Sequence, residues 1–365
     1  MSHISLILLV FCIVVGVLIV AAIQTMRNMR QVDAGLRVPD HAFAGRPARL
    51  EFVVHNRRRF GAARAIGLSS SLQPAASDKP VDRVSVFVPS IAGRAQANER
   101  RELTLPDRGL YRFGELELVS CYPIGFFERS LRCAGPQELV VYPRVGKLSR
   151  RFWNVERESP SRQEGHRPGV SPEEADYHGL REFRPGDSPR WIHWSTTARR
   201  ARLMVKEFEA RHNRDVAVLL DPWLPPQADA QNVAQLELAI SFAATLLVEL
   251  CQRHSLHVLL GIASDAPVIR HGPSSEGLLR ELLRHLALLR GTSDPHWDAL
   301  IAELPPTRIS QMRIVVVGPR PPQLMSRLQA ANGRSHRKWH RLTRRLVEVD
   351  VSNEHLRDFF ELDRT

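Results

Sequence analysis

Apolar and polar residues alternate along short stretches between about Gln31 and Arg144. Four stretches show this period of two: Ala48–Asn56, Val81–Ile91, Arg101–Leu105 and Phe113–Ser120. Turn-forming sequences such as "NRRRFG" and "PDRG" separate them, and no stretch of helical period intervenes. Short alternating strands at this spacing predict an antiparallel β-sandwich.

The pattern changes after Asp215 to continuous apolar runs that alternate with amphipathic stretches. The predicted strands are Val216–Asp221, Leu256–Ser264, Met312–Gly318 and Arg344–Val351. The predicted helices are Asn232–His254, Ser274–Gly291 and Pro321–Gly333. Fully apolar strands alternating with helices predict a parallel sheet with helices on both faces. The sequence has no GxGxxG or GxxxxGK[ST] loop, so it suggests no nucleotide cofactor.

The chain opens with an uncharged apolar stretch. Residues Met1–Met26 contain no Lys, Arg, Asp or Glu, and residues 4–23 are nearly all apolar. A helix of that length is about 30 Å long, which matches the hydrocarbon layer of a bilayer. The sequence therefore predicts a membrane-spanning helix. A secretory signal is the alternative, although only His3 precedes the stretch, where a signal carries a positive leader.

The charges that follow this stretch predict its orientation. Arg27, Arg30 and Arg37 come directly after it, with Asp33 as the one acid among them. The positive-inside rule then places the rest of the chain in the cytoplasm. We therefore expect a single-pass protein of the inner (cytoplasmic) membrane with its soluble domains facing the cytoplasm.

Composition is ordinary for a globular protein, with 43% hydrophobic and 25% charged residues. The net charge is +12, but only four of the 51 basic residues are Lys. A compositional bias towards Arg and attraction to anionic lipid beside the anchor account for this excess without nucleic acid, for which no recognition module is present. The basic run Arg334–Arg345 is interpreted as a solvated helix or loop, with contact to anionic lipid or an acidic partner as the alternative. The four Cys lack CxxC spacing, which fits a reducing compartment and offers no zinc site.

One segment before the first apolar strand has an unusual composition. Residues 181–211 read "REFRPGDSPRWIHWSTTARRARLMVKEFEAR". This segment resembles the signature of the domain of unknown function 58 family, bacterial proteins often encoded beside MoxR-type AAA ATPases. The matching residues are Arg181, Glu182, Phe183, Gly186, Asp187, Arg190, Ile192, Trp194, Ala198, Arg199, Leu203, Val205, Glu207 and Phe208.

The resemblance extends upstream and implies a layout for the whole chain. "RGLYRFGELELVSCYPIGFFERS" is similar to a second family motif, with Tyr122 where that motif has Asp. The family layout implies a von Willebrand factor A-like α/β domain at the carboxyl end. The predicted domains are a transmembrane anchor (1–26), a β-sandwich (27–145), a linker (146–176), the signature segment (177–214) and the von Willebrand factor A-like domain (215–365).

That fold implies a possible metal site at the carboxyl ends of the strands. In such domains a D-x-S-x-S loop after the first strand supplies oxygen ligands, which Mg²⁺ prefers. Here Asp221 is present, but Trp223 and Pro225 stand at the two Ser positions. The later strand is followed by Gly318 and Pro319 rather than by an Asp. We therefore expect a degenerate pocket without metal or other cofactor, in which Asp221 is the remaining member.

The signature allows two interpretations. In the first it braces the two domains, with Ile192, Trp194 and Phe208 in the core and Arg190 or Arg199 paired with Asp187 or Glu207. In the second its exposed Arg residues bind a partner. The candidate residues are Arg181, Glu182, Gly186, Asp187, Arg190, Trp194, Arg199 and Glu207.

Catalysis is not expected from the signature. Asp187, His193 and Ser195 are close in sequence, but the chain has no nucleophile-elbow GxSxG motif and no HExxH motif. The sequence predicts a membrane-anchored, non-catalytic interaction protein that works with a MoxR-type AAA ATPase in complex assembly or envelope-related processes. The alternative is a metal-dependent von Willebrand-type binding or adhesion module.

Overall fold

The structure is a computed structural model of the 365-residue chain. It describes residues 2–76, 82–149, 152, 175–184, 187, 189–210, 215–252, 256–309, 312–321, 346–351 and 360–362. The chain forms two compact units, and Met1–Arg144 make up most of the first. The predicted helix Pro321–Gly333 and the basic run Arg334–Arg345 lie outside the described residues, apart from Pro321 itself.

The first unit begins with a long apolar helix, α1 (Ser2–Asn28). By length and composition, residues Leu6–Asn28 could cross a membrane, and only 6% of their most apolar stretch is buried. This agrees with the prediction of an apolar helix. The observed helix ends at Asn28, two residues beyond the predicted anchor.

Strands of the first unit form two sheets. The strands are β1 (Val32–Arg37), β2 (His41–Phe43), β3 (Pro47–Asn56), β4 (Ala63–Pro74), β5 (Asp82–Ile91), β6 (Gln96–Thr104), β7 (Gly109–Phe113), β8 (Leu116–Ser120), β9 (Arg129–Ala134) and β10 (Gln137–Tyr142). One sheet has the order β1-β3-β6, and the other has the order β2-β10-β7-β4-β8-β9 with β5 on β4. All pairs are antiparallel except β2 with β10.

The two sheets share one apolar core, which explains the alternation in the sequence. Leu50 and Phe52 of β3 are fully buried in the same cluster as Ile66, Phe113 and Leu118 of the other sheet. Successive side chains of a strand point to opposite faces, so only every second residue has to be apolar. The alternating stretches predicted from the sequence coincide with or overlap β3, β5, β6 and β8.

The remaining strands and helices lie in the second unit, apart from Leu283–Leu288 at the end of one helix. The strands are β11 (Gly146–Leu148), β12 (Ala175–Glu182), β13 (Met204–Ala210), β14 (Val216–Leu220), β15 (His257–Ile262), β16 (Val268–Pro273), β17 (Arg313–Gly318), β18 (Leu346–Asp350) and β19 (Phe360–Leu362). The helices are α2 (Trp194–Arg200), α3 (Ala230–Gln252), α4 (Glu276–Leu288), α5 (Trp297–Glu303) and α6 (Pro306–Ile309), and Pro189–Trp191 form one 3₁₀ turn.

The central sheet of this unit has the order β16-β15-β14-β17-β18. Its strands run parallel except for β16, which pairs with β15 in antiparallel register. The sheet is therefore mixed, which corrects the prediction of an all-parallel sheet. Strand β16 was missed because its residues are mostly half-buried or exposed, as expected for an edge strand, and include Arg270 and His271.

Apolar residues cover the sheet from both sides. Ala217, Leu219 and Val316 form one cluster with the fully buried Trp297 of α5. Helix α3 contacts β14, β15 and β17. This helix is also long and apolar enough to cross a membrane, but 61% of its most apolar stretch is buried, as in the core helix of a soluble domain.

The segment predicted as a linker begins with ordered structure. Strand β11 pairs with β19, and the Gly146 and Leu148 amides donate to the Thr245 hydroxyl and the Glu249 carboxylate, both at 2.9 Å. Residues 146–148 therefore belong to the second unit, and this corrects the predicted start of the linker. Residues 153–174 lie outside the described part of the chain.

Candidate functional site: the signature segment and the end of the central sheet

The signature segment folds as a β-hairpin that carries a short helix. Strands β12 and β13 are antiparallel, with Arg181 opposite Val205 and Glu182 opposite Met204. Between them the chain forms the 3₁₀ turn and α2. The His193 amide donates to the Met204 carbonyl at 2.8 Å, so the start of α2 is fixed to β13.

A bidentate ion pair stabilises the turn at the beginning of this connection. The Arg181 Nη1 and Nη2 atoms each lie 2.6 Å from one oxygen of Asp187, and the Arg184 amide donates to Asp187 Oδ2 at 2.8 Å. The hydrogen bonds from Arg181, and then from Arg184, lower the pKa of Asp187 to about 2. The partner of Asp187 is therefore Arg181 rather than Arg190 or Arg199, which corrects the predicted pairing.

A second ion pair of the hairpin is exposed. Arg202 Nη1 lies 2.8 Å from Glu182 Oε1, with both side chains largely in solvent. Such surface pairs contribute little to stability because water and salt screen them. Among the other predicted residues, Gly186 lies outside the described residues, and the structure describes only the backbone of Glu207.

The arrangement around His193 does not assemble a hydrolase triad. His193 caps α2, where its Nδ1 atom accepts from the Thr196 amide at 3.3 Å and lies 3.3 Å from Ser195 Oγ. Asp187 is bound by Arg181 and Arg184, so it is not the orienting group that a triad requires.

Helix α2 presents a basic and aromatic surface. None of its residues is buried, and the Trp194 side chain is 67% exposed. Arg190, Arg199 and Arg200 are also exposed. The expectation that Trp194 lies in the core is therefore wrong. Ile192 is half-buried, and the Phe208 side chain falls outside the described residues.

A second group of polar residues lies at the carboxyl end of the central sheet. Asp221 follows β14 and is fully buried. The Gly318 backbone packs closely against Asp221. A side chain at position 318 would crowd this contact, because its Cβ would lie 3.1 Å from the Asp221 Cβ. Arg320 follows β17, and its Nε atom lies 3.5 Å from Asp221 Oδ2. Its guanidinium carbon is 4.3 Å from the centre of the Trp223 ring.

Burial governs the charge state of Asp221. Desolvation raises the pKa of this carboxyl, and Arg320 opposes the rise. The Trp297 indole N–H also favours the charged form, although it does not reach hydrogen-bonding geometry. Neither Asp221 Oδ1 nor Trp297 Nε1 has a hydrogen-bond partner among the described residues. Asp221 is thus a buried carboxylate whose charge is balanced by one cation of the same chain.

Thr292 lies beside the same loop. Its amide donates to the Pro222 carbonyl at 2.9 Å, and its carbonyl accepts from the Leu224 amide at 2.8 Å. Its hydroxyl donates to Asp265 Oδ1 at 2.6 Å. No group of three or more His, Cys, Asp or Glu with metal-binding geometry occurs in the described part of the chain.

Four residues at this end of the sheet were not predicted from the sequence: Asp265, Thr292, Trp297 and Arg320. Arg320 carried one usable signal, since it comes two residues after a buried strand that pairs in parallel with the strand before Asp221. The carboxyl ends of parallel neighbours meet at one edge of a sheet. The others come from loops or helix ends that the strand pattern does not locate.

The fold and these sites define a mixed α/β protein with an amino-terminal apolar helix. Residues 179–313 match the family model described as "Protein of unknown function DUF58". The chain is also 26% identical to Uncharacterized protein YeaD of Bacillus subtilis over 219 residues. The aligned segment covers 59% of this chain and 52% of that protein. The chain thus spans about half the length of this relative. The two matches support the family resemblance.

Two similar solved structures each cover 30% of the chain. The CARDB domain of a Pyrococcus furiosus protein is 13% identical over 30% of this chain and 86% of that chain, with a TM-score of 0.21. The Pseudomonas fluorescens alkylpurine DNA glycosylase AlkC is 15% identical over 30% of each chain, with a TM-score of 0.22. Likenesses this weak carry no functional implication.

Proposed function

We propose that this protein is a membrane-anchored, non-catalytic interaction protein whose signature hairpin binds a protein partner. Helix α1 is the anchor in the inner membrane, and the soluble units face the cytoplasm. The partner is a MoxR-type AAA ATPase, and the complex serves assembly or envelope-related processes. The observation that carries the proposal is the exposed basic and aromatic surface around Trp194.

The composition of this surface fits a protein interface. Between Pro189 and Lys206 the sequence has four Arg, one Lys and no Asp or Glu. Trp and Arg are the side chains most enriched among residues that dominate binding energy. An exposed Trp on a short helix costs solubility without adding to the core, so burial against a partner gives it a role. The excess of cations favours an acidic surface on that partner.

Support for the particular partner comes from the family resemblance, since bacterial members are often encoded beside MoxR-type AAA ATPases. The contacts within the hairpin also fit a binding role. The bidentate pair of Arg181 and Asp187 and the bond from His193 to Met204 hold α2 in one position. A preorganised surface loses less entropy on binding.

Binding of the ATPase to the full chain in detergent micelles tests this function. Trp194→Ala is expected to weaken the complex by about 30-fold, the effect of a side chain that contributes about 2 kcal/mol. Arg199→Glu is also expected to weaken the complex, and the loss of affinity should be larger at low salt than at high salt because salt screens charges. Phe87→Ala is the matched control, since Phe87 is 62% exposed on β5. Equal affinities for all variants would contradict the proposed surface.

A reporter fused to the carboxyl end tests the anchor and its orientation separately. A cytoplasmic reporter is expected to be active, because Arg27 and Arg30 follow the apolar stretch. Activity only on the opposite side of the membrane would reverse the proposed topology without affecting the binding surface.

The metal-dependent binding module is the second candidate, and the contacts of Asp221 argue against it. Arg320 already pairs with this carboxylate, and Trp223 and Pro225 have no side-chain oxygen. Calorimetric titration of the protein with Mg²⁺ is expected to give no site tighter than about millimolar. A micromolar site that disappears in Asp221→Ala would favour this second function.

A further inference from the structure

One face of α1 is covered by protein well into its apolar part. The residues of α1 from residue 6 onward that are buried or half-buried are Val15, Leu18, Ala21, Ala22, Thr25 and Asn28. Their spacing of three or four residues marks a single face of the helix. The covered face extends from Val15 to Asn28, a length of about 20 Å at 1.5 Å per residue. Its apolar part lies inside the predicted span of residues 4–23.

The loop after β8 lies beside this face. A groove of about 500 Å³ is lined by helix residues between Ile13 and Gln24 and by Pro123 and Ile124 of the loop. The Thr25 hydroxyl lies 2.6 Å from the Tyr122 carbonyl oxygen, which fixes the loop to the helix. The Gly125 amide donates to the Cys121 carbonyl at 2.8 Å, and Gly125 has a φ of +85°, a conformation that favours glycine.

The loop has the composition of a membrane-inserting segment. Residues Cys121–Phe127 read "CYPIGFF" and contain no charge. Ile124, Phe126 and Phe127 are all exposed, and Phe126 is the most exposed at 72%. Three large apolar side chains in one short loop are unfavourable in water and favourable in hydrocarbon.

Basic and aromatic residues surround the end of the helix on the same unit. The Arg58 guanidinium donates to the carbonyls of Arg27 and Asn28 at 3.2 and 3.1 Å. The next residues place Arg59 over the ring of Phe60, 5.4 Å from its centre, and Phe60 is 81% exposed. Arg side chains and aromatic rings are the groups that favour the headgroup region of a membrane.

We propose that residues Pro123–Phe127, the aromatic loop, enter the bilayer beside α1 and make a two-part anchor. The inference rests on the membrane anchor of the proposed function. The occupant of the apolar groove is then lipid, because the groove continues along the face of a helix that is itself in hydrocarbon. A helix standing alone in the bilayer would have no covered face at the level of Val15 and Leu18.

Fluorescence quenching in liposomes of phosphatidylethanolamine and phosphatidylglycerol tests this inference. The full chain carries one introduced cysteine labelled with an environment-sensitive fluorophore, after Cys12, Cys121, Cys133 and Cys251 are replaced by Ser or Ala. The labelled variants are Phe126→Cys in the aromatic loop, Phe11→Cys in α1 and Phe87→Cys on β5 as the exposed control. Lipids with a spin label on the acyl chain quench from the hydrocarbon, and iodide quenches from water.

The expected result is quenching by spin-labelled lipid at positions 126 and 11 and quenching by iodide at position 87. Lipid quenching at position 11 with iodide quenching at position 126 would overturn the aromatic loop and leave the anchor intact. Iodide quenching at both positions would overturn the anchor as well. Shielding of position 126 from both quenchers would indicate that a second protein segment covers the loop, which also overturns the proposal.

Discussion

Asn28, the last residue of α1, binds both backbone groups of Arg64 in β4. Its side-chain nitrogen donates to the Arg64 carbonyl at 2.7 Å, and its side-chain oxygen accepts from the Arg64 amide at 2.9 Å. Strand β8 pairs with β4 from Ile66 onward. Asn28 therefore hydrogen-bonds to the backbone of β4 just beyond the end of that pairing. The side chain also donates to Ser120 Oγ at 2.8 Å. The helix therefore ends on the sheet itself.

Replacing Asn28 should weaken the first unit. Asn28→Ala removes the acceptor of the Arg64 amide and one of the two side-chain donors to the Arg64 carbonyl, which keeps the Ser120 hydroxyl. A backbone group that loses its partner away from water costs about 1–3 kcal/mol, so a loss of about 1 kcal/mol is expected for these part-buried groups. Chemical unfolding of the full chain in detergent measures the loss. Asn98→Ala is the control, since Asn98 is exposed on β6, and it should change stability by less than about 0.5 kcal/mol. Equal melts for both variants would show that the contact to Arg64 does not fix the helix.

The pair of Arg181 and Asp187 should make stability depend on pH in the acid range. The folded-state pKa of Asp187 is lowered to about 2, whereas an unperturbed Asp has a pKa of about 3.9. The stabilisation is therefore complete above about pH 4 and is lost as the pH falls towards 2. Arg181→Gln should be less stable than wild type at pH 7, and the difference should shrink below about pH 3. The exposed neighbour Glu182→Gln should show almost no effect, and a pH-independent difference for Arg181→Gln would contradict the ionic interpretation.

Two tryptophans of the second unit should respond in opposite ways to truncation. Trp194 is 67% exposed, so Trp194→Ala should leave the free energy of unfolding within about 0.5 kcal/mol of the wild-type value. Trp297 is fully buried, so Trp297→Ala should cost about 3–5 kcal/mol through lost burial and the cavity that remains. Parallel denaturant melts compare them. A large loss for Trp194→Ala would restore the interpretation of the signature as a brace.

Removing Arg320 should destabilise the second unit more at neutral than at acid pH. Arg320→Ala leaves Asp221 buried without its cation, and breaking such a pair costs about 3–5 kcal/mol. Burial raises the pKa of Asp221, so the folded state binds this proton more readily than the unfolded state and stability falls as the pH rises through that range. Arg320 opposes this rise in pKa, so its removal makes the total loss of stability with rising pH larger. The difference in free energy of unfolding between pH 4 and pH 7 should therefore be larger in Arg320→Ala than in the double variant Asp221→Asn/Arg320→Ala. If Arg320→Ala loses the same stability at both pH values, the effect comes from lost packing on Trp223 rather than from charge.

Much of the fold could be predicted because burial imposes a period on the sequence. Strand β3 alternates since only one face meets the core, and β14 is wholly apolar since both faces are covered. Strand β16 gave no such signal, because an edge strand needs neither pattern. The early β-strand at Gly146 was hidden in a Pro- and Ser-rich segment, and its partner Phe360–Leu362 lies more than two hundred residues away.

The candidate site was less predictable for physical reasons. The sequence identified Asp221 from its place after a buried strand, and Asp187 from its turn. It could not choose among the many Arg residues, because the partner of Asp187 depends on how the turn directs the carboxylate back to β12. Trp194 was expected in the core since aromatic residues are usually buried, yet its helix has no buried residue.

The fixed junction between α1 and β4 has a mechanical consequence. A helix joined to a domain by a flexible segment can tilt without moving that domain, but Asn28 and Arg58 leave no such freedom at this end. If α1 spans a bilayer, a thinner bilayer increases its tilt, because a long apolar helix relieves mismatch in that way. The β-sandwich then leans by the same angle. Membrane thickness would thereby set the direction in which the sandwich points.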